Sequence, residues 1–272
     1  MLFRSLLMAL FGRNGESPVA VLAPATPSDC FEIAFEAVRI ATKYRTPVII
    51  LSDGYLANGS EPWRIPDVAD LPKLRDEFKF SSPGEWRGED GQPAFLPFRR
   101  DPQTLARPWA IPGTPGLEHR IGGIEKADVT GTISYDPDNH EKMVRLRQAK
   151  IDGIASDIEP LEVDDPDGDA RVLVLGWGST FGSIGAAVRR IRLAGGSIAQ
   201  AHLRHLSPFP ANLGEVLAAY DKVLVPEINL GQLALILRGR YLADVISYNR
   251  VRGLPFRAAE LAGVIQDVLA NA

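Results

Sequence analysis

Cysteine is nearly absent from the sequence: Cys30 is the single example among 272 residues. One thiol cannot form an internal disulfide, and it cannot supply the thiolate ligands that hold an iron–sulfur cluster. A scarcity of cysteine is also typical of proteins in a reducing compartment. We therefore expect no cluster held by these residues alone, and we expect a cytoplasmic protein.

Long apolar runs and an excess of positive charge are absent as well. The apolar run at residues 6–11 is six residues long and is followed by Gly12 and Arg13. A signal peptide needs an apolar run of about seven to fifteen residues, and a membrane-spanning helix needs about twenty. The 30 Lys and Arg residues are outnumbered by 34 Asp and Glu, giving a net charge of −4, so nucleic-acid coating has no electrostatic support. The sequence predicts neither a membrane span nor a nucleic-acid partner.

The first regular pattern is a strand–helix–strand unit within residues 18–51. An apolar run bounded by prolines at residues 18–24 predicts a buried strand. Thr26 and Pro27 then predict a helix start, with Thr26 as cap and Pro27 in the first turn. The predicted apolar face of this helix consists of Phe31, Ala34, Phe35, Val38 and Ala41. Residues 48–51 predict a second strand, buried on both faces, and the unit as a whole indicates parallel α/β architecture.

A proline-rich stretch follows this unit. Ten of the 21 prolines lie between Pro62 and Pro115, together with three of the four tryptophans. Proline interrupts regular structure, and the many aromatics favour an ordered, loop-rich excursion over a disordered linker. A helix is predicted from Asp136, and the acidic tract at residues 159–169 indicates a solvated linker at a domain boundary.

Residues 170–272 predict an open α/β domain in which four apolar strands alternate with helices. The strands are expected at residues 172–175, 198–203, 222–226 and 245–248. Asn229 and Gln232 are spaced as a reciprocal capping box for one helix, whose predicted apolar face is Leu230, Leu233, Leu237 and Tyr241. The chain is thus divided into residues 1–60, 61–169 and 170–272.

Two motifs suggest a ligand but lack a necessary part. The loop at residues 176–182 lies between a strand and a helix, as dinucleotide-binding loops do, but its spacing is G-x-G-x-x-x-G. No Asp or Glu occurs from Arg171 to Gly214 to bind a ribose, so we favour a tight turn. His119 and His140 each stand beside carboxylates, but the two clusters lie about twenty residues apart without a third, which disfavours a metal site.

Nucleophilic catalysis is also poorly supported. No G-x-S-x-G elbow occurs, and we interpret His202 and His205 as structural and Cys30 as a small core residue. The segment at residues 52–59 directly follows a predicted strand, where open α/β sheets place ligands or partner contacts. A capped turn in which Asp53 and Asn58 bond to the backbone is an equally good interpretation.

Four segments resemble the α subunits of 2-oxoacid:ferredoxin oxidoreductases, in particular the 2-oxoglutarate type. They are VIILSDGYLANGSEPWRIP at residues 48–66, GLEHRIGGIE at 116–125, TGTISYDP at 130–137 and VPEINLGQL at 225–233. The resemblance spans essentially the whole chain. It implies part of a thiamine-diphosphate pyrimidine-type domain, then the loop-rich excursion, then a transketolase C-terminal-like domain with an open, parallel-rich sheet.

The resemblance also implies a function in a complex. It is the oxidative decarboxylation of a 2-oxoacid to an acyl-CoA, with ferredoxin as electron acceptor. Thiamine diphosphate, Mg and an iron–sulfur cluster are expected on a partner β subunit. The family's substrate loop is not found here, so we expect no catalytic residue and a chain that corresponds to the C-terminal part of an α subunit. The polar residues in the resembling segments are expected to contact the partner, namely Asp53, Asn58, His119, Arg120 and Glu125.

Two alternatives to this function remain open. One is a non-catalytic fragment or assembly scaffold that docks onto a β subunit without supporting turnover. The other is an independent nucleotide-binding α/β protein built on residues 176–182, against which the missing ribose-binding acid counts.

Overall fold

Strands and helices alternate through much of the chain, of which the computed structural model describes residues 5–88 and 90–272. The strands are β1 (Ala20–Leu22), β2 (Val48–Ile50), β3 (Val163–Asp164), β4 (Val172–Trp177), β5 (Ala199–Leu203), β6 (His205–Ser207), β7 (Lys222–Glu227) and β8 (Val245–Asn249). The helices are α1 (Leu6–Phe11), α2 (Asp29–Lys43), α3 (Gly54–Asn58), α4 (Pro137–Gly153), α5 (Phe181–Leu193), α6 (Leu213–Ala218), α7 (Gln232–Tyr241) and α8 (Ala258–Leu269). No helix in these described ranges is both long and apolar enough to cross a lipid bilayer.

The strands form two sheets. The larger sheet has the order β3–β5–β4–β7–β8, in which β5, β4, β7 and β8 run parallel and β3 is antiparallel to β5. This arrangement confirms the predicted open, parallel-rich sheet. The smaller sheet has the order β2–β1–β6, with β1 parallel to β2 and antiparallel to β6. The strand β6 therefore leaves the region of the larger sheet and completes the smaller one.

The two sheets share one hydrophobic core. A single cluster of buried side chains joins Val21 and Leu51 near the small sheet to Leu173 and Trp177 of β4, and Leu6 of α1 packs into it. The opposite face of the larger sheet is covered by α5 and α8. The small sheet is covered by α2 and by Ile151 and Ile154 at the end of α4.

The helix α2 differs from its prediction in both its start and its face. It begins at Asp29 after the N-cap Ser28, and Thr26 Oγ1 accepts a hydrogen bond from the Asp29 amide, so Thr26 and Pro27 lie before the helix. The buried residues are Ile33, Ala37 and Ile40, whereas Ala34 and Val38 of the predicted face are exposed. The helix carries apolar residues on two sides, and it is the stripe facing β1 that becomes buried.

Two further predictions are wrong, and both concern strands at the edges of the sheets. The strand β2 is not buried on both faces: it is the edge strand of the small sheet, and Ile50 is 40% exposed. The acidic tract at residues 159–169 is not simply a solvated linker, since it contains β3, which pairs with β5. Arg192 holds this edge strand through an ion pair of 2.9 Å with Asp164.

The proline-rich stretch is loop-rich, as predicted. In the described residues between α3 and α4, the regular structure consists of two short 3-10 turns, Val68–Asp70 and Leu74–Glu77, and of isolated β-bridges such as Phe80 with Trp109. Its aromatic side chains contact one another, for example Trp86 and Phe95 with ring centroids 5.4 Å apart. These contacts are consistent with an ordered excursion.

Candidate functional site

The loops that follow β2 and β4 meet at a buried hydrogen bond. Asp53 caps α3, and its Oδ1 accepts hydrogen bonds of 2.9 Å from the amides of Tyr55 and Leu56. Its Oδ2 accepts a 2.6 Å hydrogen bond from Ser179 Oγ, in the turn directly after β4. Both side chains are buried, at 5% exposure each. Because the carboxyl ends of parallel strands are where α/β folds place ligands and partners, we take this junction as the candidate functional site.

The glycine-rich loop after β4 makes the contacts of a tight turn. Thr180 Oγ1 accepts a hydrogen bond from the Trp177 amide and donates one to the Trp177 carbonyl. Gly178 has a φ of +59°, which favours glycine. A Cβ on Gly176 would lie 2.5 Å from the Ile184 side chain, so glycine there lets α5 pack closely on the sheet. Each of these glycines has a packing or conformational reason to be present.

A second buried carboxylate organises the start of α7. Glu227 ends β7, is fully buried, and accepts hydrogen bonds from the amides of Leu233 and Ala234 at 2.9 and 3.1 Å. It also accepts hydrogen bonds from Trp177 Nε1 at 3.2 Å and from Asn229 Nδ2 at 3.0 Å. An anion at the positive end of a helix is electrostatically favourable. Sequence reasoning missed Glu227 because the predicted strand ends at Pro226 and the amides that Glu227 binds come from the following helix.

The predicted capping box for α7 is only half correct. Asn229 Oδ1 accepts a 2.9 Å hydrogen bond from the Gln232 amide, as predicted. Gln232 Oε1, however, accepts a 3.0 Å hydrogen bond from the Leu7 amide of α1 and is not reciprocal. Leu230 is 82% exposed and does not belong to the buried face, which contains Leu233 and Leu237. The side chain of Gln232 instead holds α1 against α7.

The five predicted contact residues occupy different places. Asp53 is buried at the junction, and the exposed Asn58 donates a 2.7 Å hydrogen bond to the Gly54 carbonyl within α3. His119 and Arg120 line a cavity of about 250 Å³ in the loop-rich stretch, where the His119 ring contacts Phe95 at 4.9 Å. Glu125 lies 2.7 Å from His140 Nδ1. The structure therefore brings none of the loop residues to Asp53, and their partner contacts remain predictions.

A groove of about 810 Å³ runs between α2, the acidic tract and β5, and it contains both histidines near the end of β5. His202 is half-buried; desolvation lowers its pKa to about 3, although a hydrogen bond with the Gly178 backbone acts in the opposite sense. Its Nε2 has no hydrogen-bond partner in the described part of the chain. His205 Nε2 lies 3.3 Å from Glu36 Oε1. The neutral His202 ring packs against Phe181 and has a structural role in the wall of this groove.

Cys30 is not an activated thiol. It lies in the first turn of α2, a position that by itself would lower a thiol pKa. Burial raises the pKa of Cys30, and the nearby carboxylates of Asp29, Asp53 and Glu61 raise it further. Cys30 Sγ lies 3.6 Å from the Thr26 carbonyl. The thiol is therefore held in its protonated, unreactive form.

A family model and several curated proteins are similar to this chain. The family described as pyruvate flavodoxin/ferredoxin oxidoreductase, thiamine diphosphate-binding, matches residues 4–134. The chain is 62% identical over 266 residues to the 2-oxoglutarate oxidoreductase subunit KorA of Mycobacterium tuberculosis, which is 98% of this chain and 39% of that protein. It is 33% identical to subunit alpha of a 2-oxoacid:ferredoxin oxidoreductase of Aeropyrum pernix, covering 85% of this chain and 35% of that protein. The chain thus spans well under half the length of these curated relatives.

A solved structure extends the comparison to three dimensions. The 2-oxoglutarate:ferredoxin oxidoreductase from Magnetococcus marinus, with 2-oxoglutarate, coenzyme A and succinyl-CoA bound, aligns with a TM-score of 0.79 at 31% identity. The alignment covers 97% of this chain and 44% of that chain. Both the small sheet and the larger sheet therefore have counterparts in one solved protein.

Proposed function

Because this chain is homologous to the α subunits of 2-oxoglutarate:ferredoxin oxidoreductases, we propose that it forms part of such a subunit. The reaction converts a 2-oxoacid, 2-oxoglutarate in this proposal, and coenzyme A to an acyl-CoA and carbon dioxide, and passes two electrons to ferredoxin. The observation that carries the proposal is the 62% identity to the mycobacterial subunit over 98% of the chain. The proposal includes a cytoplasmic location.

The buried carboxylates of this chain do not suit the binding of a metal-bound diphosphate. Both oxygens of Asp53 and both oxygens of Glu227 already accept hydrogen bonds from within the fold. In residues 5–88 and 90–272, no three His, Cys, Asp or Glu side chains are grouped to share a metal ion. These observations support a partner β subunit that holds thiamine diphosphate, Mg and the iron–sulfur cluster. We derive no chemical step through those groups on this chain.

In this proposal the chain contributes a docking surface. Large apolar side chains are exposed from α3 to the start of α4, where a lone soluble domain would leave few. They are Tyr55, Trp63, Ile65, Val68, Ile111, Ile121, Ile124 and Tyr135. Protein interfaces pair such apolar residues with a polar rim, and Asn58, His119, Arg120 and Glu125 supply polar groups in the same stretch. Asp53 acts indirectly, because it fixes α3 to the turn after β4.

Co-purification with a β subunit of the same enzyme class tests the docking surface. Ile65 and Val68 are 79% and 81% exposed, so Ile65→Asp and Val68→Asp should not affect folding but should weaken the complex at least tenfold. The matched control is Leu193→Asp, a side chain that is 83% exposed at the end of α5. Equal binding by all three variants would contradict the docking surface.

Turnover is measured separately on the assembled enzyme that contains this chain. The proposal expects reduction of ferredoxin that depends on both 2-oxoglutarate and coenzyme A. A stable complex that shows no such turnover would instead indicate the assembly scaffold, and failure to bind any β subunit would overturn both interpretations.

A further inference from the structure

A strongly basic cavity lies between α4 and the loops at residues 98–126. Its volume is about 410 Å³. Six cationic side chains line it, and among the described residues Glu125 is the one carboxylate in the lining; the cations are Arg45, Arg100, Arg107, Lys126, Arg147 and Lys150. We call this site the basic cavity. Because the whole chain has a net charge of −4, this local excess of positive charge is not a consequence of composition.

Most of these cations are not neutralised by the protein. Arg100 pairs with Asp128 at 2.8 Å, and Arg147 reaches Glu125 only at 3.8 Å. Arg45, Arg107 and Lys150 make no ion pair with a carboxylate in the described part of the chain. Lys150 Nζ instead donates a 3.3 Å hydrogen bond to the Arg45 carbonyl. Buried or half-buried charges are normally paired, so this arrangement is unusual.

The fold holds these cations in place by other contacts. The Arg107 guanidinium lies 4.5 Å from the centre of the Phe98 ring, and that of Arg45 lies 4.8 Å from the Trp109 ring. Arg45 also has a φ of +46°, an uncommon conformation for a residue other than glycine. Such strain persists where the surroundings hold it, and it is frequent at ligand sites. The cations are thus positioned before any ligand arrives.

Repulsion among the cations contributes to the lowered pKa values of Lys150 and Arg107. Burial and, after it, the neighbouring guanidiniums of Arg107, Arg100, Arg45 and Arg147 together lower the pKa of Lys150 to about 8. Burial and Arg45 together lower the pKa of Arg107 to about 10. A bound anion would relieve both effects, because an opposite charge favours the protonated form.

We propose that the basic cavity binds a ligand that carries phosphate groups. The six cations exceed Glu125 and the Asp128 partner of Arg100 by four positive charges, and a diphosphate carries several negative charges that would offset this excess. Arginine offers a planar fork of donors that matches phosphate oxygens in pairs. The volume lies within the range of about 300–1,000 Å³ that is usual for small-molecule sites. This inference does not depend on the proposed enzymatic function.

Calorimetric titration of the full chain with inorganic pyrophosphate tests the proposal. At constant ionic strength, pyrophosphate should bind saturably and raise Tm, inorganic phosphate should bind more weakly, and succinate should not bind. Arg107→Gln and Lys150→Gln should each weaken pyrophosphate binding at least tenfold. Arg145→Gln is the control, because Arg145 lies on the exposed side of α4 and pairs with Glu141; it should leave the affinity unchanged.

The Tm without ligand separates a binding role from a structural one. Arg107→Gln and Lys150→Gln remove cations that repel each other, so the unliganded Tm of each should equal or exceed that of the parent chain. A lower unliganded Tm in both would indicate that the cations stabilise the fold and would overturn the proposal. Absence of saturable pyrophosphate binding, or equal binding of succinate, would overturn it as well.

Discussion

The larger sheet and the stretch at residues 59–135 are stabilised in different ways. All six residues of β4 are buried, and β7 buries five of its six. Between residues 59 and 135, Pro97, Ala106 and Leu117 are the buried apolar side chains in the described part. The sheet is stabilised mainly by buried apolar area. The loop-rich stretch depends on individual contacts, such as Arg75 between Phe78 and Phe80 at 5.0 and 4.8 Å.

This difference determines whether a substitution destabilises the structure locally or as a whole. A cation–aromatic contact at an exposed site contributes about 0.5–1 kcal/mol, so the loss of one should open a loop locally. A large side chain in a shared core supports several elements at once, and its loss should lower the stability of the whole fold. Four substitutions or conditions test this contrast, and they are ordered by the size of the expected effect.

The largest effect is expected from Trp177→Ala. Trp177 is 1% exposed in the core shared by both sheets and donates a hydrogen bond to Glu227. Its removal should lower the free energy of unfolding by about 3–5 kcal/mol, measured by urea denaturation. Trp63→Ala is the counterpart in the loop-rich stretch, where the side chain is 46% exposed; we expect a loss below about 1 kcal/mol. Equal losses of unfolding free energy for the two variants would contradict the proposed difference between the shared core and the loop-rich stretch.

Acid should weaken the cluster of ion pairs on α2, which reaches the loop-rich stretch through Glu77. Burial acts to raise the pKa of Glu36, but hydrogen bonds from Arg39 and His205 outweigh it and lower the pKa to about 2. Arg39 also pairs with Asp157 at 2.7 Å, and Lys43 reaches Glu77 of the loop-rich stretch at 3.3 Å. Because the folded pKa lies below the ordinary value of 4.5, the stabilisation is complete above pH 4.5 and is lost as the pH falls towards 2.

The expected loss from Glu36 is about 2 kcal/mol at low pH. Urea denaturation at a series of pH values measures it. Glu36→Gln should remove this part of the pH dependence, whereas Glu32→Gln, on the exposed side of the same helix, should retain it. Identical pH profiles for the parent chain and Glu36→Gln would contradict the assignment.

A smaller effect is expected from Asp53→Ala. The substitution removes the cap of α3 and leaves Ser179 Oγ without its buried acceptor, so we expect a loss of about 1–2 kcal/mol. Asp67→Ala removes a similar cap, since Asp67 accepts a 2.9 Å hydrogen bond from the Ala69 amide, but it lies in an exposed turn. Thermal denaturation should show a clear shift for Asp53→Ala and almost none for Asp67→Ala; the reverse order would be decisive against a special role for the junction.

The smallest global effect is expected from Arg75→Ala. The change removes two aromatic contacts and a 2.9 Å hydrogen bond to the Phe78 carbonyl, yet the free energy of global unfolding should change by less than about 0.5 kcal/mol. Limited proteolysis should nevertheless cleave near residues 71–80 more rapidly, because local opening becomes easier. A large global loss without faster cleavage would show that this stretch unfolds together with the sheets.

The sequence predicts the four parallel strands of the larger sheet but not β3. The strands β4 and β7 each contain an apolar run, whereas β3 is a two-residue strand within the acidic tract. The sequence predicts α2 poorly because that helix carries two apolar stripes, and only the position of β1 decides which one is buried. The strand β2 lies at an edge because, among the described residues, β1 is its one strand partner, and its apolar sequence does not reveal this. Local patterns therefore identify elements more reliably than they identify neighbours.

The candidate site likewise has some features that the sequence predicts and others that it does not. The capped turn at Asp53 could be predicted, because Asp in such a segment bonds to nearby amides. Its contact with Ser179 spans 126 positions and leaves no local signal. Glu227 and the basic cavity also depend on tertiary proximity, since the lining residues of the cavity come from several separate segments. The contacts predicted for Asn58, His119, Arg120 and Glu125 remain predictions until a partner is tested.

The pairing of β1 with β6 has a consequence for synthesis of the protein. Val21 lies opposite Ser207, and Ser207 Oγ donates a hydrogen bond to the Val19 carbonyl 188 positions earlier. Translation at about 5–20 residues per second separates the two segments by roughly 10–40 seconds on the ribosome. During that interval one edge of β1 has no strand to pair with, and unpaired edges promote aggregation. The nascent chain is therefore expected to depend on chaperones until residue 207 has left the ribosome.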